Sequence, residues 1–496
     1  MKYLLGIDVG SSSVKAALVD VDKGHRVAQA FSPETELEIA APQPGWAEQH
    51  PHTWWEHVQR AVAKVLAISG VRAHEIAAMG ISYQMHGLVL LDRQNRVLRP
   101  AIIWCDSRAV ATGQQAFHEL GREYCLSHYL NSPGNFTASK LAWVKQHEPA
   151  IFSNIHKAML PGDYIAWQLT GEIATTVSGL SEGIFWDFAS ADVATGLLHQ
   201  FGIDPGLLPQ RVATFSNQGT LRPEAAAQLG LQSGIPVSYR AGDQPNNAFS
   251  LHVLEPGEVA ATAGTSGVIY AVTDQPAYDA QSRVNTFVHV NNTAHAHRNG
   301  VLLCINGTGI LNSWTKRLLG NMSYPEINAL AAAVPRGAEG VTVFPFGNGA
   351  ERVLANRNVG AHVMHLDLNR HHRGHVARAV QEGIVFALAF GFEVLHAMGI
   401  RPKVIRAAHA NMFLSPVFRQ AFVNTLQVPL ELYETDGATG AARGAGVGAG
   451  FFSLPDAFRG LQKLQSDQPD ERSIKEYQPV YSRWKEQLQH VLSTTG

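Results

Sequence analysis

The chain opens with an apolar run at residues 3–8, then a turn of small residues, Gly10-Ser11-Ser12-Ser13. A second run, residues 14–21, ends at Asp22-Lys23-Gly24, and a third covers residues 25–31. Apolar runs of this length, bounded by Gly, Ser and Asp, predict hairpin-linked strands. Residues 51–68 place Trp54, Trp55, Val58, Val62, Val65 and Leu66 near helical spacing, which predicts a helix. Strands are predicted again at 76–83 and 88–91, on either side of the polar break Gln84-Met85-His86. Helix follows sheet repeatedly, so the pattern indicates an α/β fold.

An echo connects the two ends of this pattern. Gly10-Ser11-Ser12-Ser13-Val14 and Gly264-Thr265-Ser266-Gly267-Val268 both read G-[ST]-S-x-V after an apolar stretch, about half a chain length apart. This suggests two similar halves, each bringing a glycine–hydroxyl turn to a shared cleft, with the boundary in residues 247–256. The second half resumes with strands in 258–272 and a long helix near 374–398. The apolar stretch 384–392 within it is interrupted by Gly391 and reads as buried helix, well short of a membrane span. Residues 465–478 turn hydrophilic and read as a surface connector before a final helix at 480–491.

Composition narrows the function classes. Apolar residues are 45% of the 496, enough for extensive cores, and charged residues only 16%. Lys plus Arg number 39 and Asp plus Glu 41, a net charge of −2, which gives no electrostatic case for nucleic acid or an anionic membrane. Cys105, Cys125 and Cys304 are too few and scattered for a disulfide framework or zinc knuckle, and suit a reducing compartment. The first apolar run meets Asp8 too early for a secretory signal. A cytoplasmic enzyme is the expectation.

The turn after the first strand is the first candidate site. Gly10 admits close backbone approach, successive amides can form an anion nest, and Ser11 and Ser12 add hydroxyls. Asp8 at the strand end could hold a hydrated Mg²⁺, which needs only one or two carboxylates besides phosphate oxygens. An ordinary hairpin capped by Asp8 is the plain alternative. No G-x-x-x-x-G-K-[ST] occurs and no G-x-G-x-x-G follows the opening strand, which disfavours a P-loop ATPase and a Rossmann dehydrogenase. Gly264 to Gly267 offers the same physics in the other half, so two turns could clamp a polyphosphate. Between the halves lies Ala241-Gly242-Asp243-Gln244-Pro245-Asn246-Asn247, where Asp243 is placed for a general base or merely closes an Asx turn.

Together these segments resemble the FGGY family of carbohydrate kinases. The resemblance rests on LGIDVGSSSVKAAL (5–18), GWAEQHPHTWW (45–55), QMHGLVLLD (84–92), WCDSR (104–108), GDQPNN (242–247), GTSG (264–267) and DGATGAA (436–442), in this order over roughly residues 3–450. QMHG with an aspartate behind it and a WxDxR segment is most similar to the xylulose kinase branch. The resemblance implies two ribonuclease H-like domains of the actin-like ATPase fold around a central cleft, residues 1–248 on the sugar side and 249–496 on the nucleotide side. It implies phosphorylation of a sugar by ATP with Mg²⁺, D-xylulose to D-xylulose 5-phosphate, in a possible homodimer. Asp243 would be the base. Asp8 would organise the metal, with Gly10, Ser11, Ser12, Lys15, Gly264, Thr265, Ser266, Gly267, Ala410 and Asn411 on ATP. Gln84, Met85, His86, Trp104, Asp106, Arg108 and Gln244 would line the sugar pocket. Phosphoryl transfer asks mainly for positioning and charge neutralisation, which these residue types can supply.

Three departures stand out. Ala407-Ala408-His409-Ala410-Asn411-Met412 occupies a stretch that is often glycine-rich in the family, so side chains project near the nucleotide base. Gln244 follows the candidate base where xylulose kinases commonly have Asn, and its longer amide could alter which hydroxyls are read. FGNGAERVL (346–354) only partly resembles G-E-R-x-P. These motivate two competing readings: a kinase for ribulose, fuculose, gluconate or glycerol, and a sugar-binding protein that has lost phosphoryl transfer. An actin-like filament or chaperone ATPase has no use for QMHG. His371, His372 and His375 read as a solvated helix cap, Trp54 and Trp55 as anchors of helix to sheet, and residues 438–450 as closely packed helix.

Overall fold

The computed structural model describes residues 1–494. They fall into two compact units: Met1–His252, Phe287–Asn299 and Thr435–Leu461 form the first, and Val253–Thr286, Gly300–Glu434 and residues 462–494 form the second. A division at 248/249 treats each half as one continuous stretch, whereas the first unit here draws on three.

In the first unit, strands Val237–Gly242, Ile76–Tyr83, Tyr3–Val9, Val14–Asp20 and Arg26–Ser32 form one sheet in that order. The first three run parallel, and the last two complete antiparallel hairpins. Both faces are covered, which is why Tyr3–Val9 reads as a continuous apolar run rather than an alternation. Leu5, Ile7 and Val9 pack with Trp54, Trp55, Val58, Val62 and Val65 of the helix Pro51–Ser69. Leu4, Val19 and Ala78 pack with Ala442 and Ala445 of the helix Gly437–Gly448 on the other face.

That second helix lies unusually close to the sheet. A Cβ added at Gly6 would fall 1.8 Å from the Ala438 carbonyl oxygen, and one at Gly80 would fall 2.1 Å from that of Ala441. Only glycine on the strands and small residues on the helix permit this approach. The run at 438–450 is therefore packed helix over most of its length.

The second unit repeats the strand pattern. Leu430–Tyr433, Val404–Ala408 and Glu258–Ala263 run parallel side by side, and Gly267–Thr273 follows antiparallel, with Asn299–Ile305 beyond it. The turns that carry the five-residue echo thus occupy the same place in two matching sheets, between the first and second strand of each. The helix Arg373–Ala397 fills this unit's core through Val380, Ile384, Val385 and Leu388. It is long and apolar enough to cross a membrane, yet 83% of its most apolar window is buried within the unit. His372 caps it, its Nδ1 accepting from Gly374 N at 3.1 Å.

Most boundaries lie within one or two residues of the sequence expectation. The exception is 465–478, expected as a connector. Lys463–Asp467 is a strand, and the final helix starts at Glu471 and reaches Thr494. Its polar residues face solvent while Tyr477, Trp484, Leu488 and Val491 lie in the core. The stretch is amphipathic, and its low mean hydropathy concealed the helix.

The close approach yields a test. Gly6→Ala forces a Cβ against a backbone carbonyl that cannot move without displacing the helix. We expect a loss of about 2–3 kcal/mol, read from denaturant unfolding, the upper range for overpacked cores. A variant as stable as the wild type would contradict this packing.

Candidate active site

The three parallel strands of the first unit end in register. Val9 pairs with Tyr83, and Tyr83 with Gly242. Asp8, the break Gln84-Met85-His86 and Asp243 are therefore brought to one edge of the sheet, the carboxyl ends where open α/β sheets place their ligands.

Asp243 opens the helix Asp243–Ser250 directly after Gly242. Burial pushes its carboxyl up to about 7, and the charge of Asp8 adds to the effect; hydrogen bonds from Gln244 and the charge of Lys15 oppose it. A carboxyl that exchanges its proton near neutrality suits acceptance of a hydroxyl proton. Gly242 has no room for a side chain: a Cβ there would lie 2.3 Å from Glu182 Oε2 and 2.6 Å from Met85 Cγ. Asp8 meets bare backbone in the same way, since a Cβ on Gly437 would lie 2.5 Å from its Oδ2. Asn246 fixes that glycine, donating from Nδ2 to its carbonyl at 2.9 Å.

The expected sugar residues divide into two groups. Met85 is buried beside Gly242, and Gln244 adjoins Asp243. His86 has φ 60°, its ring 4.9 Å from Phe136 and 5.3 Å from Phe287. Trp104 is 47% exposed and donates from Nε1 to Ser11 Oγ at 3.1 Å. Gln84 is buried, and its Nε2 donates to Gln49 Oε1 at 3.3 Å. Gln49 in turn donates to the Ser11 carbonyl at 2.7 Å, so this pair anchors the Gly10–Ser13 turn.

Asp106 and Arg108, expected as sugar ligands, require correction. Both side chains are buried, and the Arg108 guanidinium binds both Asp106 oxygens, at 2.7–3.0 Å. Asp106 also accepts from Ala47 N at 2.6 Å, while Arg108 reaches Glu48 at 2.7 Å and lies over Trp46 at 3.7 Å. Their polar atoms serve a buried ion pair that shapes the loop carrying Trp104.

In the second unit, the Gly264–Gly267 turn borders a cavity of about 730 Å³. Gly264, Thr265, Gly309, Asn312, Asn328 and Asn411 are among its lining residues. Gly264 and Thr265 carbonyls accept from Gly309 N at 2.9 Å and Ile310 N at 3.1 Å, which docks the turn on the helix Gly309–Leu318. Ser266 and Gly267 lie outside the lining; Gly267 is packed so that a Cβ would meet Thr308 Oγ1 at 2.6 Å. Ala410 is extended, and Asn411 takes φ 53°, a left-handed conformation that Asn tolerates and in which a glycine would ordinarily be found. Asn411 and Met412 of the altered stretch line the cavity. Glu351, from FGNGAERVL, accepts from Asn306 N and Gly307 N at 3.0–3.2 Å, and burial pushes its carboxyl up to about 7.

Sequence reasoning missed three residues that hold the first unit's site: Gln49, Lys140 and Glu182. The available signal was an isolated charge inside an otherwise apolar or small-residue stretch, Lys140 before Leu141-Ala142-Trp143 and Glu182 within 177–185.

Comparison with known proteins matches residues 3–250 to the N-terminal domain of the FGGY family of carbohydrate kinases. The chain is 32% identical to a xylulose kinase of Escherichia coli (strain K12) over 494 residues, covering 98% of this chain and 99% of that one. It is 29% identical to a xylulose kinase of Bacillus subtilis (strain 168), covering 99% and 97%. A crystal structure of xylulose kinase from Rhodospirillum rubrum matches all of both chains with a TM-score of 0.87 at 26% identity.

The buried ion pair can be tested directly. Arg108→Met leaves the Asp106 carboxylate unpaired in the interior, and we expect a stability loss of about 3–5 kcal/mol in denaturant unfolding. A loss below about 1 kcal/mol would mean that Asp106 and Arg108 are solvated and available to a ligand after all.

Proposed function

The chain belongs to the FGGY family of carbohydrate kinases, and from that premise we propose that it transfers the terminal phosphoryl group of ATP to D-xylulose, giving D-xylulose 5-phosphate, with Asp243 as general base. Its fold is the actin-like ATPase fold of two ribonuclease H-like units, shared with the matched kinase structure. The observation that carries the assignment of the base is the position of Asp243, at the first turn of a helix, beside Asp8, with its proton held to about neutrality.

In this reading the first unit binds the sugar near Met85, His86, Trp104 and Gln244. The nucleotide occupies the cavity of the second unit, whose volume and mixed lining suit a nucleoside phosphate. The sugar hydroxyl oxygen attacks the terminal phosphorus, its proton passes to an Asp243 oxygen, and the bond to the leaving ADP oxygen breaks. Asp8 fits a ligand of Mg²⁺: it lies at a strand end against the bare backbone of Gly437, and such an ion takes its other ligands from water and phosphate. When bound, that ion neutralises phosphate charge. ATP as donor makes the cytoplasm the natural setting.

Full-length similarity to xylulose kinases supports xylulose as the acceptor. The longer amide of Gln244 beside the base favours a second reading, in which another ketose or polyol is preferred. A coupled ADP-release assay across D-xylulose, ribulose, fuculose, gluconate and glycerol decides between them. We expect D-xylulose to lead by at least about tenfold in kcat/KM, the discrimination one or two hydrogen-bonded hydroxyls provide. A different leading sugar would overturn the xylulose assignment while leaving the kinase intact.

Asp243→Asn should lower kcat by about 10²–10⁴, the usual contribution of a general base, with ATP binding unchanged. Wild-type turnover would exclude Asp243 as the base. The same variant has a second readout. The folded carboxyl holds its proton up to about pH 7 rather than 3.8, so the native state binds more protons than the unfolded chain over that interval. Its contribution to stability falls as pH rises from about 4 to 7. Asp243→Asn should therefore melt above the wild type at pH 8, with the gap closing at pH 4. A gap independent of pH would contradict the elevated proton affinity.

A further inference from the structure

We propose that Lys140 and Glu182 are positioning residues that clamp His86 for sugar binding, a role that rests on the reading of His86 as a sugar-pocket residue. Neither touches the reacting atoms in the proposed mechanism, and no motif in the resemblance includes them. Both are buried, an arrangement proteins avoid unless the charged or polar head has a task.

Their partners identify that task. The Lys140 ammonium, on the helix Thr137–His147, donates to the His86 carbonyl at 2.8 Å and to the Ile103 carbonyl at 2.9 Å. It thereby joins the loop at 84–86 to the residue preceding Trp104. Glu182 holds the other side of the same residue: its Oε1 accepts from His86 N at 3.4 Å, and its backbone carbonyl lies 2.8 Å from His86 Nδ1. Phe136 and Phe287 pack against the ring.

His86 needs such holding because its backbone is in the left-handed region, φ 60°, unfavourable for a residue with a Cβ. Relaxation to an ordinary conformation would swing the imidazole away from Phe136, Phe287 and the Glu182 carbonyl. The clamp fixes the backbone N–H, the carbonyl and the ring together. Lys140 can do this in either protonation state, since an uncharged amine retains two N–H donors for two carbonyls. Burial pushes it down to about 7, with the Asp106 charge opposing the shift. Glu182 is pushed the other way, its carboxyl raised by burial and by the charge of Asp243. Its Oε1 can accept from the His86 amide whether or not the carboxyl carries a proton.

The test uses the full-length enzyme and the sugar with the highest turnover. Relative to wild type, Lys140→Met and Glu182→Leu should each raise the sugar KM by about tenfold or more, with kcat changed less than threefold and the ATP KM unchanged. Glu182→Gln keeps the acceptor and should stay within threefold of wild type. His86→Ala serves as the reference: in that background Lys140→Met should raise the sugar KM less than it does in the wild type, because the imidazole it positions is gone. Additive effects in the double variant, or equal losses of kcat and both KM values, would assign Lys140 a merely structural role and overturn the proposal. If Lys140→Met does not fold, the Glu182→Leu and Glu182→Gln pair decides by the same criteria. If His86→Ala leaves the sugar KM unchanged, the assignment of His86 to the sugar pocket fails instead.

Discussion

Everything in the first unit follows from the register of three parallel strands. Because Val9, Tyr83 and Gly242 are aligned neighbours, whatever succeeds them in sequence must share one edge. That edge gathers Asp8, Met85, His86 and Asp243 from positions up to 235 residues apart in the chain, without any loop having to search for its partner. A parallel sheet covered on both faces supplies a rigid base, and its carboxyl ends provide the one place where polar side chains can meet without disrupting the ladder. The physical cost is concentrated there. Burial raises the proton affinity of both Asp243 and Glu182, with the charge of Asp8 adding to the effect at Asp243 and the charge of Asp243 adding to it at Glu182.

The scaffold is shaped to tolerate that cost. Gly6 and Gly80 let the helix Gly437–Gly448 press against the sheet backbone, so its first residue, Gly437, reaches Asp8. Gly242 leaves space for Glu182 and Met85. These glycines act through absent side chains: a Cβ at Gly6 or Gly80 would meet the helix backbone, and one at Gly242 would meet Glu182 and Met85. The second unit reuses the strand pattern. Its equivalent turn is docked on the helix Gly309–Leu318 and borders a cavity, while the first unit's turn is tied down by Gln49. One topology thus yields a polar, hydrogen-bonded edge in one unit and a cavity of about 730 Å³ in the other.

Much of this was legible in the sequence because it is written locally. The strand at 76–83, the helix opening at Pro51, the capping His372 and the matching turns at 10–14 and 264–268 each depend on a few adjacent residues. What the sequence concealed depends on distant partners. Asp106 and Arg108 look like a sugar-binding pair until Ala47 and Glu48 are seen to complete them. Lys140 appears as an ordinary helix lysine, since its two acceptors lie in loops 54 and 37 residues away. The hydrophilic stretch after Gln465 hid a helix because its mean polarity gave no hint that Tyr477 would be drawn into a core assembled from residues 259–432. Asn411 substitutes for a glycine through its backbone conformation, which composition alone does not display.

The central claim is that Asp243 holds a proton to about neutrality because of its burial and its acidic neighbour. Carbon-13 NMR of the protein labelled at aspartate carboxyls, with the resonance assigned by its loss in Asp243→Asn, measures this directly. Our account predicts a carboxyl titrating close to pH 7 in the free protein, moving further when sugar fills the site. A resonance that titrates near the ordinary aspartate value of 3.8 and ignores added sugar would contradict it.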